Sequence, residues 1–188
     1  RDLHSFPTRR SSDLVNLYGD GGGTLTAGSD IMLFVRSGGT LNTYDLCFDS
    51  FGSGIEVAGG VFNMNGGSVI NAGVSNAVSV KSGTFNMNGG VIRNNNYGVY
   101  LYSGANFNIS GSAEIRDNSS CGVLVAQGGN FGVSGSPRIK DNDNSNVRLL
   151  SGCKINVTGI LRGADIGINT EDNPYSSSVV FTSHANTG

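Results

Sequence analysis

The 188-residue sequence has no Trp, 3 Pro, 3 Cys and 2 His, and only 14% of its residues are charged. Each shortage removes a class of protein. Cys47, Cys121 and Cys153 lie far apart, without a Cys-x-x-Cys pair or an adjacent histidine, so they are read as unpaired thiols and no zinc site is expected. Their scarcity fits a secreted protein as well as a cytosolic one. The longest apolar runs, such as Ile31 to Val35, fall far short of the roughly 20 residues of a membrane-spanning helix. Basic charge is short too, with 12 Lys+Arg against 14 Asp+Glu, which gives no electrostatic footprint for nucleic acid.

What the chain does have is glycine, 30 of 188 residues. Each Gly inside a helix costs about 1 kcal/mol against Ala, so long helices are not expected. Residues 1 to 14 stand apart. Their string, RDLHSFPTRRSSDL, reads as the translation of a short-read sequencing adapter, and no apolar stretch follows Arg10 as a signal peptide requires. Setting this segment aside removes Arg1, Arg9 and Arg10 and Asp2 and Asp13, leaving 9 Lys+Arg, 12 Asp+Glu and a formal charge of −3. The division expected is an adapter-derived segment at 1–14, a repeat domain at 15–181 and a ragged, truncated end at 182–188. The remainder of the chain's own polypeptide is then a neighbour at both ends.

The repeat is visible by eye. GGVFNMNGGSVINAGVSNAVSVKS from Gly59, GTFNMNGGVIRNNNYGVYLYS from Gly83, GANFNISGSAEIRDNSSCGVLVAQ from Gly104 and GGNFGVSGSPRIKDNDNSNVRLLS from Gly128 align, with a degenerate copy before them and GCKINVTGILRGADIGI after. Leu41, Phe62, Phe85, Phe107, Phe131 and Ile155 mark a period of about 21 to 24 residues. Each unit carries three short apolar clusters with period-two alternation, separated by Gly/Asn/Asp/Ser turns, and such clusters are strands. Stacking unit on unit in parallel keeps identical side chains in register. The expected fold is therefore all-β, a right-handed parallel β-helix of about six coils with three short strands each. Its interior files are Phe62, Phe85, Phe107 and Phe131; Met64, Met87, Ile109, Val133 and Val157; and Val80, Leu101, Val125 and Leu149.

The phrases GTFNMNGGVIRNN, GVYLYSGANFNISGSAEIRDN and IGINTEDNPYSSSVVFTS resemble the right-handed β-helix repeat proteins of the pectin-lyase-like superfamily found in bacterial surface proteins. The resemblance implies a bacterial cell-surface or secreted, extracellular setting, and glycans or host and cell-surface proteins as partners. Polysaccharide lyases and polygalacturonases share the superfold, so the alternative is a fragment of a carbohydrate-active enzyme whose catalytic coils are missing or degenerate. Of the polygalacturonase pattern only Arg138-Ile139-Lys140 is present, on a strand where neighbouring units read Val91-Ile92-Arg93 and Glu114-Ile115-Arg116. His184, the only histidine beyond the first segment, lies in the tail, and Asn169-Thr170-Glu171 follows Arg-Ile-Lys where the family pattern precedes it. No catalytic residue, metal or cofactor is assigned. Asp117 and Asp141, with Asn71 and Asn94 at equivalent places, are read as turn residues rather than calcium ligands.

Two surfaces follow from alternation. Asn42, Asn63, Asn86, Asn108 and Asn156 face outward as a ladder of amides, broken at Gly132. On the third strand, inward Val99 and Leu101 turn Tyr100 and Tyr102 outward, beside Tyr97 and followed on the next coils by Leu124, Arg148 and Leu150. Aromatic side chains side by side on a rigid sheet suit sugar rings or a protein partner. Tyr97, Tyr100, Tyr102, Leu124 and Arg148 are thus the candidate binding patch of a non-enzymatic module for adhesion, glycan contact or display.

Overall fold

The computed structural model describes residues 13–28 and 32–171. All regular structure there is β. The first winding comprises β1 (Leu14–Tyr18), β2 (Thr24–Thr26) and β3 (Leu33–Arg36). β4 (Thr40–Tyr44) and β5 (Cys47–Asp49) begin the second, and β6 (Ile55–Ile70) and β7 (Asn76–Arg93) then run unbroken round the corners. β8 (Tyr97–Leu101), β9 (Asn106–Ile109), β10 (Glu114–Arg116) and β11 (Cys121–Val125) follow. The chain continues through β12 (Asn130–Gly135), β13 (Arg138–Ile139) and β14 (Ser145–Leu149) to β15 (Ile155–Leu161), β16 (Asp165–Ile166) and β17 (Ile168–Thr170).

Pairing is parallel throughout and joins each segment to the one a full winding away, giving a three-faced β-solenoid. The first face holds β1, β4, β9, β12 and β15 with parts of β6 and β7. The second runs through β2, β5, β10, β13 and β16, the third through β3, β8, β11, β14 and β17. There are seven windings among the described residues, one more than the repeat spacing implied. The extra one is the first, in which Val15 lies over Leu41. It lacks the Phe-x-Met signature and spans more residues than the later units, so the repeat did not reveal it. Leu14, placed above in the first segment, already opens β1 and pairs with Thr40. Seven rungs at about 4.8 Å make a stack roughly 29 Å long.

The interior is built as the alternation demands. Phe62, Phe85, Phe107 and Phe131 form one file, ring on ring, at centroid separations of 4.9, 5.1 and 5.2 Å and interplanar angles of 12°, 13° and 2°. All four are completely buried, as are Val80, Leu101 and Val125 in their file. Full burial of such side chains stabilises by about 1.5–3 kcal/mol each. Val157 stands in its expected file, in register with Val133, but is only half-buried. One interior file holds a misfit, because Thr43, in register with Leu17 and Met64, has a hydroxyl without a hydrogen-bond partner at 0% exposure. Replacing it by Val removes an unsatisfied buried group at nearly constant volume, and urea denaturation should show Thr43→Val stabilised by about 1 kcal/mol. A loss of stability would show that the hydroxyl is paired in solution.

The corner after the second face explains the Asn/Asp turns. Ser50, Asn71, Asn94, Asp117 and Asp141 stack there with φ of 59°, 57°, 58°, 53° and 55°, the left-handed conformation that Asn and Asp tolerate best among residues with a side chain. The next residue turns inward. Asn95, Asn118 and Asn142 are buried and hydrogen-bonded in line: Asn95 Nδ2 donates to Asn118 Oδ1 at 3.1 Å, Asn118 Nδ2 to Asn142 Oδ1 at 2.8 Å, and Asn142 Nδ2 to Asn146 Oδ1 at 3.1 Å. The side-chain oxygens of Asn95, Asn118, Asn142 and Asn146 accept in turn the backbone N–H groups of Ala72, Asn95, Asn118 and Asn142. Thus the corner's buried polar groups are paired, as burial requires. Gly122 makes room for the ladder, for a Cβ there would lie 2.7 Å from Asn142 Nδ2.

Candidate ligand-binding face

The tyrosines reach one side of the molecule because strand alternation slips at the corner of β8. A Cβ on Gly98 would meet Ile115 Cγ2 at 2.7 Å inside the solenoid, and the next residue, Val99, is also fully buried. Two successive inward positions put Tyr97 on the same outer face as Tyr100 and Tyr102. Their rings form a continuous row: Tyr97 and Tyr100 meet at a centroid distance of 6.0 Å and 62°, Tyr100 and Tyr102 at 4.4 Å and 31°. All three are half-buried, lying against the sheet. Their hydroxyls make no hydrogen bond among the described residues.

The other two members sit on the following windings. Leu124 is in register with Tyr100, and Arg148 with Leu124. Leu124 points outward as expected but is only 6% exposed, so it floors the patch and does not present an apolar tip. The long side chains in register on either side of it, Tyr100 and Arg148, account for this shielding. Leu150 is half-buried and packs against the core cluster. Arg148 is exposed and donates from Nη2 to Glu171 Oε1 at 2.7 Å, and this hydrogen bond lifts the guanidinium above its ordinary range. Arg148 therefore borders the patch as one half of an ion pair.

A further member escaped the sequence reading. Lys81, one winding before Tyr102, holds its Nζ 4.6 Å from the centre of the Tyr102 ring, a cation–π distance. The signal was available: Val80 is in register with Leu101, so the residue after each shares a place. Tyr18 and Tyr44 on the first face were missed as well. They stack at 4.8 Å and 9°, with Tyr18, 61% exposed, in the winding that the repeat did not disclose and Tyr44 in the degenerate copy after it.

The outward amides of the first face form the expected ladder. Asn42 donates to Asn16 at 2.8 Å, Asn63 to Asn42 at 2.7 Å, Asn86 to Asn63 at 2.7 Å and Asn108 to Asn86 at 2.9 Å. At Gly132 the ladder is interrupted, and Asn108 Oδ1 lies 2.4 Å from where a Cβ would stand. On the second face Arg138 stands in register between Glu114 and Asp165 and approaches Glu114 at 3.8 Å, while Lys140 pairs with Asp141 at 3.3 Å. Arg116 is bound to both Glu114 and Asp117, and the hydrogen bond it donates to Asp117 is the main cause of its raised pKa. The Arg-Ile-Lys sequence is thus part of a charged ladder. His184 lies outside the described residues.

Among the described residues no group of three His, Cys, Asp or Glu side chains is arranged to hold a metal ion, and no helix is long and apolar enough to cross a membrane. None of the three cysteines is in a disulfide. Cys121 sits in register with Tyr97 beneath the patch, and burial pushes its thiol up to about 11. Because its folded-state pKa is raised, the neutral thiol adds stability in full below the ordinary thiol range near 8.5, and that contribution is lost as pH climbs toward 11. Iodoacetamide at pH 8 should alkylate half-buried Cys47 in the native protein and reach Cys121 and Cys153 only after unfolding, as read by peptide mass spectrometry. Rapid native labelling of Cys121 would show that the patch opens in solution.

Comparison of the chain with protein-family models, with curated proteins and with solved structures yields no match.

Proposed function

We propose that this chain is a non-enzymatic β-solenoid module of a bacterial surface or secreted protein, which binds glycans through the tyrosine row of its third face. The observation that carries the reading is the row itself: three aromatic rings in mutual contact on a sheet stiffened by parallel pairing on both sides, with hydroxyls that make no hydrogen bond among the described residues. Such a surface is preorganised, so binding loses little conformational entropy. The sequence resemblance to pectin-lyase-like surface proteins supports the extracellular setting. Around Arg138-Ile139-Lys140 the engagement of Glu114, Asp117 and Asp141 with cations supports a non-catalytic reading of that strand, since glycoside hydrolysis relies on a pair of carboxylates for acid and base work.

A glycan array probed with the chain and with Tyr100→Ala and Tyr102→Ala tests the proposal. Each variant should lose affinity about tenfold, the scale expected when a central aromatic anchor of an interface is truncated. Absence of binding to every glycan would leave protein contact as the role of this face, and release of reducing ends from pectins would favour the enzyme alternative.

A further inference from the structure

The tyrosine row has a direction and an asymmetric charge, and both bear on the ligand. Its aromatic residues occupy one winding only. The register partners of Tyr97 and Tyr100 are Asn76 and Ser79 on the winding before, and Cys121 and Leu124 on the winding after. A ligand that stacks on the row therefore runs along β8, across the solenoid, for about 15 Å at strand spacing. This favours a short oligosaccharide over a polymer tracking along the rod.

Charge distinguishes the two ends of the row. At the Tyr102 end lies Lys81, exposed, with its ammonium over the ring and no carboxylate within ion-pair distance among the described residues. The anion of the adjoining winding, Glu56, is in register with Ser79, opposite the middle of the row. The other cation of the patch, Arg148, is already held by Glu171. At the Tyr97 end the flanking residues in register, Asn76 and Cys121, are uncharged, and the cation that acts on Tyr97 there is Arg148, already paired with Glu171.

We infer that the ligand is a short oligosaccharide ending in a carboxylated sugar, laid across the third face along β8 with its acid group against Lys81. The inference rests on the glycan-binding reading and adds to it the ligand's length, orientation and charge. The three phenolic hydroxyls meet the sugar hydroxyls, the ring edges left open by the Tyr100–Tyr102 and Lys81–Tyr102 contacts meet the apolar faces of the sugars, and Lys81 supplies a charge-assisted hydrogen bond to the terminal carboxylate.

The test uses an array of short oligosaccharides ending in a carboxylated sugar, their methyl esters, their neutral counterparts and long neutral polysaccharides. The acids should be bound about tenfold more tightly than their esters, the scale of one charge-assisted hydrogen bond. Lys81→Gln should bring the acids down to the level of the esters, Lys81→Arg should retain the preference, and Tyr100→Ala should weaken all of them. If esters or long neutral chains bind as well as the acids, or if Lys81→Gln leaves the preference intact, the inference is overturned while glycan binding stands. If no glycan is bound at all, the inference falls together with the reading beneath it.

Discussion

Phe85→Ala is expected to lower the unfolding free energy by about 3–5 kcal/mol, the cost of truncating a buried aromatic side chain. Phe85 is completely buried and is stacked on both sides, by Phe62 at 4.9 Å and by Phe107 at 5.1 Å. Its removal takes away two ring contacts together with the transfer energy of the ring. The cavity cannot close, because backbone pairing fixes the rungs on either side at their own spacing. In a stack of repeats, stability is a sum of units and nearest-neighbour interfaces, so a weakened central interface also loosens the cooperation between the halves. Urea denaturation followed by circular dichroism should therefore show a lower midpoint and a broader or biphasic transition. Val74→Ala is the control: at 89% exposure it should change stability by no more than about 0.5 kcal/mol. A Phe85→Ala effect no larger than that control would sink the stacked-file account of the core.

Asn118→Asp is expected to be at least as damaging, although it changes only an amide to a carboxylate. Asn118 Nδ2 donates to Asn142 Oδ1 and to the carbonyls of Arg116 at 3.0 Å and Ile92 at 3.4 Å, while its Oδ1 accepts from the N–H and the Nδ2 of Asn95. A carboxylate keeps the accepting side and cannot donate, so it would face three oxygens at 0% exposure. Breaking a buried network in this way costs about 3–5 kcal/mol. The sign of its pH dependence distinguishes the mechanism. Facing acceptors and buried, the new carboxyl titrates above its unfolded value near 3.9, so the variant is least harmed below that pH and loses stability as pH rises through it. Asn118→Ala should be destabilised without that pH dependence. Parallel pH profiles of the two variants would refute the ladder if they coincide.

The two ladders also show what was legible in the residues and what was not. The outer amides could be read because they alternate with Phe and Met in nearly identical copies, so that inside and outside were assigned together. The inner file was hidden in a pair of adjacent polar residues, Asn94-Asn95, Asp117-Asn118 and Asp141-Asn142, that look like one turn. Their fates are opposite. The first member takes the left-handed conformation and varies between Asn and Asp, since either suits it, whereas the second is Asn each time, an amide that, unlike a carboxylate, both donates and accepts. The shielding of Leu124 was not legible for another reason: alternation tells which way a side chain points, and its cover depends on the side chains of the windings on either side.

The amides of the outer file all donate toward earlier windings, from Asn108 down to Asn16, whereas each inner amide donates both ways: Asn95 and Asn118 to the Asn of the next winding and Asn142 to Asn146 of its own, and all three to a carbonyl of the winding before. The outer row is a chain of aligned dipoles, and the pairs Asn88 to Asn65 and Asn130 to Asn106 point the same way. The inner file does not offset them, so the side-chain amides give the rod a polarity along its axis. Copies brought end to end would gain from these side chains an electrostatic preference for head-to-tail over head-to-head order.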